Sequence, residues 1–156
     1  GQAGRPVPYE LIYKGVIMDV KVVWKEGMEL TGYSESGHKI TLDASEKSGG
    51  QGKGFLPIEL LAVGTAGCSS LDVIAILRKK KVDFTGYECR VNVESYQEGH
   101  PHVFTKMHFE YIVTGNNVQE KDVERAVQLA EEKYCQAIAM MSKTAEIVHT
   151  ITIIPA

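Results

Sequence analysis

The feature that most constrains the fold is a long apolar segment that begins at Pro57 and extends to about Lys80. Proline suits the first position of a helix because its missing N–H group would have no partner there. Between Leu60 and Leu77 the only formal charge is Asp72, and a helix that is apolar on nearly all sides belongs inside a core. We therefore predict a buried central helix of roughly 24 residues, about 36 Å long.

The rest of the chain is predicted to be mostly strand. Three short runs of β-branched and aromatic residues precede the helix, at 20–24, 29–33 and 38–42. Two longer alternating runs follow at 87–96 and 103–113, and the Gly- and Pro-containing turn between them predicts an antiparallel hairpin. A charged helix after Asn117 and a last strand at 147–154 complete the pattern. The predicted class is α+β, with antiparallel sheet packed around one buried helix.

Composition and charge are those of an ordinary globular domain. The chain has 156 residues, of which 44% are hydrophobic and 24% charged. A net charge of -3 gives no general attraction to nucleic acid or to an anionic membrane. No stretch approaches the ~20 uncharged residues of a membrane span, and three cysteines without regular spacing argue against a secreted disulfide scaffold. We expect a cytoplasmic protein that binds neither nucleic acid nor membrane.

Two cysteines lie in or beside predicted helices. Cys68 is in the middle of the apolar helix, with Asp72 one turn later, and Cys135 follows a second helical pattern. Buried cysteines are often inert, whereas two thiols that the fold brings together can cycle between dithiol and disulfide. Both interpretations stay open for Cys68. Cys135 is expected at an exposed helix end, and Cys89, on the apolar face of a strand, is expected in the core.

Other motifs for chemistry are few. Glu59, near the helix start, is either a catalytic carboxylate or an acid that complements the helix dipole. The five histidines contain no i, i+4 pair, so the sequence predicts no zinc site. The chain also lacks the Gly-x-Ser-x-Gly nucleophile motif and the glycine-rich phosphate loop.

Two sequence blocks carry a resemblance to a known family. The block Pro57-Ile-Glu-Leu-Leu-Ala-Val-Gly-Thr-Ala-Gly-Cys68 and the block Glu132-Lys-Tyr-Cys135 resemble the OsmC/Ohr family, named for osmotically inducible protein C and organic hydroperoxide resistance protein. The similarity is closest to the OsmC-like branch and covers about residues 19–155. We therefore predict an OsmC-like domain at 18–156, and an N-terminal extension or added remnant at 1–17.

The resemblance implies an intertwined homodimer that needs no metal or organic cofactor. It implies a cysteine-based peroxidase in which Cys68 attacks an organic hydroperoxide and becomes a sulfenic acid. Cys135 then forms a disulfide with it, which a small or lipoyl-type dithiol reduces. The family's catalytic glutamate position is Ile58 here, so Glu59 is the nearest candidate carboxylate. No arginine lies between Asp19 and Glu59, where the only cations are lysines.

Two other functions are compatible with the same sequence. The chain could be a non-catalytic OsmC-like dimer that binds a small apolar ligand at its interface. It could also be a redox-responsive regulatory protein in which a Cys68–Cys135 bond changes shape or partner binding without fast turnover.

Overall fold

The computed structural model describes residues 18–156, so the predicted extension at 1–17 lies outside the described residues. The chain divides into two compact units, one ending at Pro57 and the other beginning at Ile58. A three-stranded sheet lies in each unit, and one long helix occupies the start of the second. The α+β class predicted from the sequence is confirmed.

The first unit is an antiparallel meander. Its strands are β1 (Val20–Glu26), β2 (Glu29–Ser34) and β3 (Lys39–Leu42), paired in the order β1-β2-β3. Gly27, with φ of 54°, and Gly37, with φ of 88°, lie in the two connecting turns. Positive φ angles favour glycine because it has no Cβ to clash with the backbone.

The backbone of the loop at 44–54 is hydrogen-bonded to a buried carboxylate. Asp43 is 4% exposed. It accepts three backbone hydrogen bonds, from the N–H groups of Ala44 at 2.8 Å, Gln51 at 3.0 Å and Lys53 at 3.1 Å. The bonds from Gln51 and Lys53 are the main cause of a lowered pKa at Asp43, because they stabilise its charged form. A 3-10 turn at Glu46–Ser48 lies inside this loop.

The second unit contains the helices. The long helix α1 spans Pro57–Lys79, close to the predicted bounds. Helix α2 spans Glu120–Leu129 and continues into a π-helical turn at Ala130–Tyr134, and the short helix α3 spans Gln136–Met141.

The second sheet is mixed rather than purely antiparallel. Strands β4 (Gly86–Ser95) and β5 (Phe104–Thr114) form the predicted antiparallel hairpin, and β6 (Glu146–Ile154) pairs with β5 in parallel. The expectation of an antiparallel sheet is therefore wrong at β6. The chain reaches β6 from β5 through α2 and α3, and such a crossover is the connection that parallel strands require.

A β-bulge changes which residues of β5 face the core. The register shifts after Glu94, so that Ser95 pairs with Phe104 and Thr105 has no partner in β4. Phe104 is consequently buried, whereas Val103 is 42% exposed and Thr105 is also exposed. Strict alternation along the predicted strand at 103–113 puts Val103 and Thr105 on the same face as the buried Met107. That prediction is wrong because a bulge adds one residue to a strand.

Helix α1 is buried along one face within the described chain. Its buried residues recur every fourth position, at Thr65, Ser69, Val73 and Leu77, and the last two belong to a core cluster that includes sheet residues of β5. Elsewhere on α1, Leu71 is 71% exposed. The sequence predicted that α1 is buried on nearly all sides. In the described part of a single chain, only one face of α1 is buried.

The same helix meets the length and composition of a membrane span. An 18-residue window of Pro57–Lys79 has a mean hydropathy of 1.9, and 22% of that window is buried. The expectation that no segment has the length and apolar composition of a membrane span is therefore wrong, by these two criteria alone. The buried stripe of α1 is nevertheless bonded to the sheet, since the Ser69 hydroxyl shares a hydrogen bond with the Tyr111 hydroxyl of β5.

Candidate functional site

Two thiols and a carboxylate converge in the second unit. The Sγ atoms of Cys68 and Cys135 and a carboxylate oxygen of Asp72 all lie within 4.8 Å of one another. Cys68 and Asp72 are four residues apart on α1, a spacing that puts both side chains on one face of a helix. Cys135 comes from the junction between the π-helical turn and α3. The fold thus joins two predicted site residues that are distant in sequence.

Cys135 is buried rather than exposed. It is 3% exposed, so the prediction of an exposed helix end is wrong. The reason is its place as the residue before α3: its backbone is extended, and its Sγ accepts a hydrogen bond from the Ile138 N–H at 3.4 Å. Burial, together with the nearby Cys68 thiol, raises the pKa of Cys135 to about 12.

Cys68 and Asp72 are half-buried. Cys68 packs against the core cluster while keeping part of its surface accessible. Burial raises the pKa of Asp72, because a carboxylate loses hydration there. All three cysteines are free thiols. Cys89 packs against the core as predicted, and burial raises its pKa to about 11.

A cavity opens beside the carboxylate of this group. It has a volume of about 220 Å³, and its walls include Asp72, Ile76 and Lys79 of α1 and Tyr134, the residue before Cys135. The cavity gives solvent or a small molecule an approach to Asp72, and Lys79 supplies the positive charge in its wall.

An apolar groove is lined by residues of α1, β5 and α3. Its volume is about 290 Å³, and its lining includes Ile58 and Leu61 of α1, Phe104 of β5 and Met141 of α3. Leu61 precedes Cys68 by seven residues, so it lies on nearly the same helix face about 10 Å away. The groove therefore offers apolar surface on the side of α1 that carries Cys68.

Glu59 is not brought to the thiols within one chain. It precedes Cys68 by nine residues, which corresponds to about 13 Å along an α-helix and to the opposite helix face. Glu59 is the acid in the first turn of α1, where a negative charge complements the helix dipole. A catalytic role for Glu59 stays a prediction.

The sequence analysis missed a second polar cluster. His149 of β6 lies between two carboxylates: its Nδ1 is 3.0 Å from Oε2 of Glu131, and its Nε2 is 3.0 Å from Oε1 of Glu124. Burial opposes the charged imidazole, but the attraction of Glu131 and the hydrogen bonds to both carboxylates outweigh it and raise the pKa of His149. Because the three residues are far apart in sequence, no local spacing signalled the cluster.

The sequence analysis also did not bring together Cys68, Asp72 and Cys135 as a group whose donor atoms could hold a metal ion. It searched for histidine spacing, whereas the donors brought together are the sulfurs of Cys68 and Cys135 and an oxygen of Asp72. Thiolate and carboxylate are both ligands of zinc in proteins. The only signal available was the i, i+4 spacing of Cys68 and Asp72, which is weak without the third ligand.

Comparison with known proteins identifies the family to which the chain belongs. The family model described as OsmC-like protein matches residues 50–150. The chain belongs to the OsmC-like family.

Individual relatives agree with this assignment. Protein YhfA of Escherichia coli K12 is 35% identical over 139 residues, which cover 89% of this chain and 100% of that protein. A hypothetical protein from Aquifex aeolicus VF5 has a TM-score of 0.79 and 26% identity, covering 90% of this chain and 98% of its own.

One structural relative carries a functional name. The organic hydroperoxide resistance protein OsmC of Legionella pneumophila has a TM-score of 0.65 at 17% identity, covering 88% of this chain and 97% of its own. That likeness shows a shared fold.

Proposed function

We propose that the protein is a thiol peroxidase that reduces organic hydroperoxides with Cys68 and Cys135. The observation that carries the proposal is the approach of the two Sγ atoms to within 4.8 Å. A disulfide needs an S–S distance of about 2 Å, so side-chain rotation and a small backbone movement suffice to join them. If both cysteines were inert core residues, nothing would require their sulfur atoms to lie this close together.

The reaction balances with the groups present and one reductant. The sulfur of Cys68 attacks the O–O bond of the hydroperoxide, which releases an alcohol and leaves a sulfenic acid on Cys68. The Cys135 thiol condenses with that sulfenic acid, so that one S–S bond forms and one water leaves. A dithiol then reduces the disulfide and is itself oxidised to a disulfide.

The environments of the two thiols support this order of events. Cys68 is half-buried and therefore within reach of a peroxide, whereas Cys135 is 3% exposed. The pKa of Cys135, raised to about 12 by burial, keeps it a protonated thiol near neutral pH, suited to react second. The apolar groove that includes Leu61 and Met141 favours the carbon chain of an organic hydroperoxide over hydrogen peroxide.

We propose further that the working form is a homodimer in a reducing compartment such as the cytoplasm. Large apolar side chains are exposed on both units of the single chain, among them Trp24 at 67%, Val63 at 53% and Leu71 at 71%. Exposed apolar surface of this kind is typical of protein interfaces. Free thiols persist where cellular reductants maintain them.

The kinetic test is consumption of cumene hydroperoxide in the presence of a dithiol such as dihydrolipoamide. We expect turnover by the native protein, loss of turnover in Cys68→Ser, and stoichiometric rather than catalytic consumption in Cys135→Ser. Cys89→Ser is the matched control and should retain full activity. Equal background rates for the native protein and Cys68→Ser would refute the proposal.

Intact mass gives an independent test. One equivalent of hydroperoxide should remove two hydrogens from the reduced protein, and peptide mapping should locate the bond between Cys68 and Cys135. A gain of one oxygen in the native protein that never converts to this disulfide would exclude Cys135 as the resolving residue.

Binding of an apolar ligand is the second candidate function, and the groove of about 290 Å³ favours it. A protein that only binds such a ligand would retain affinity for it after Cys68→Ser and would consume no hydroperoxide. Calorimetric titration with a medium-chain fatty alcohol, in the native protein and in Cys68→Ser, separates the two functions.

A further inference from the structure

The thiol group has the composition of a metal site as well as of a redox pair. Two sulfurs and one carboxylate oxygen lie within 4.8 Å of one another. In a tetrahedral zinc site with Zn–S bonds of about 2.3 Å, two sulfurs are about 3.8 Å apart. The two sulfurs therefore need to approach by about 1 Å or less, and a sulfur and the carboxylate oxygen by slightly more, which rotation of the partly exposed Cys68 and Asp72 side chains can supply.

The chemistry of the donors selects the kind of ion. Thiolates are soft ligands that favour zinc-like ions, whereas calcium and magnesium require oxygen ligands. Two thiolates and one carboxylate carry three negative charges, which a divalent ion neutralises in large part. A carboxylate oxygen in the set favours zinc over copper(I), which prefers sulfur donors alone.

A cavity beside Asp72 offers space from which a fourth ligand could approach an ion. Asp72 lines the cavity of about 220 Å³, together with Tyr134 and Lys79. Water or a small anion in that cavity can complete a tetrahedron around an ion held by Cys68, Cys135 and Asp72. Three protein ligands with one open position are the arrangement of zinc sites that exchange their fourth ligand.

We propose that Cys68, Asp72 and Cys135 form a binding site for a zinc-class divalent ion, open to solvent at its fourth position. The site uses both sulfurs of the redox pair, so metal binding and a Cys68–Cys135 disulfide exclude each other. An organic hydroperoxide and two protons convert the metal-bound dithiolate into the disulfide, an alcohol, water and the free ion. This last consequence, unlike the binding itself, rests on the proposed function.

Cobalt(II) is the probe for the ligands, because thiolate-bound cobalt gives a sulfur-to-metal charge-transfer band in the near ultraviolet. The full chain is reduced with a phosphine, freed of metal and titrated without oxygen or peroxide. We expect one equivalent to bind with this band and zinc to displace it. Cys68→Ser and Cys135→Ser should each lose about half of the band and bind at least about tenfold more weakly.

Two further variants test the set of ligands. Asp72→Asn should keep the sulfur band but bind about tenfold more weakly. Cys89→Ser should match the native protein, because Cys89 is outside the group. Cobalt bound without a sulfur band, as at surface histidines such as His100 and His102, would overturn the proposal, as would an undiminished band in both Cys68→Ser and Cys135→Ser.

A measurement on the native protein avoids any effect of substitution on folding. Zinc should slow alkylation of Cys68 and Cys135 at least about tenfold while leaving Cys89 unaffected. Equal rates with and without zinc at all three cysteines would overturn the proposal. Hydroperoxide turnover by chelator-treated protein that binds no cobalt would refute this inference and leave the proposed function intact.

Discussion

The Sγ atom of Cys135 lies within 4.8 Å of the Sγ atom of Cys68, although 66 residues of chain, from 69 to 134, separate them. The two thiols differ in accessibility, since Cys68 is half-buried and Cys135 is 3% exposed. In the proposed reaction, this difference puts the more accessible Cys68 where a hydroperoxide would meet it first, with the less accessible Cys135 reacting second.

Cys135 should be a slow target for alkylation in the folded protein. Its pKa is raised to about 12, so at pH 8 its thiolate fraction is on the order of a hundredfold or more below that of an unfolded cysteine. We expect iodoacetamide labelling of Cys135 to be slower than in the urea-unfolded chain by at least that factor. Peptide mapping after timed labelling measures this rate at each cysteine, and fast native labelling at Cys135 would contradict the prediction.

The hydrogen bond between Ser69 and Tyr111 should stabilise the contact of α1 with β5. Both residues are fully buried, so Tyr111→Phe should lower the free energy of unfolding by about 1 to 3 kcal/mol, since it leaves the Ser69 hydroxyl without this partner. Tyr87→Phe is the matched control, because Tyr87 is only partly buried where it donates to Ser70 at 2.9 Å. Urea unfolding should show a smaller loss of unfolding free energy for Tyr87→Phe than for Tyr111→Phe.

A double substitution separates this hydrogen bond from simple packing. In a Ser69→Ala background, Tyr111→Phe should cost less than in the native protein, because no unpaired hydroxyl remains. Equal costs in both backgrounds would mean that the hydrogen bond contributes nothing.

The cluster of His149, Glu124 and Glu131 should make stability depend on pH. The pKa of His149 is raised in the folded protein, so its contribution is fully present below the ordinary value near 6.5 and is lost as pH rises through the folded-state value. His149→Gln should therefore lower the free energy of unfolding by about 1 kcal/mol at pH 6, a small value because solvent screens these partly exposed charges. At pH 9 the same substitution should lower the free energy of unfolding by less.

Urea unfolding at both pH values measures the effect of His149→Gln. Glu131→Gln supplies the control, because removing that carboxylate should reduce the pH dependence of the His149 substitution. A cost that is the same at pH 6 and pH 9 would contradict the assignment of a charged His149 in the folded protein.

The exposed apolar face of α1 should mediate the proposed self-association. Leu71 is 71% exposed in the single chain, whereas Leu77, on the same helix, is fully buried. Leu71→Glu should weaken the dimer at least about tenfold while the chain stays folded. The glutamate charge stays in solvent in the single chain and is buried only when the dimer forms. Leu77→Glu should instead unfold the chain.

Analytical ultracentrifugation and circular dichroism together measure association and folding in these variants. A native protein that sediments as a monomer, or Leu71→Glu that associates like the native protein, would contradict the prediction.

The sequence by itself determined the helix at Pro57–Lys79, the β4–β5 hairpin and the two cysteine blocks, because apolar periodicity and motif spacing are local properties. It did not determine the parallel pairing of β6, the bulge after Glu94 or the inward turn of Cys135, which follow from how distant segments pack. The meeting of Cys68, Asp72 and Cys135 belongs to this second group. A sequence gives the chemistry of each donor, but only the tertiary structure decides the distances between donors that the chain itself separates.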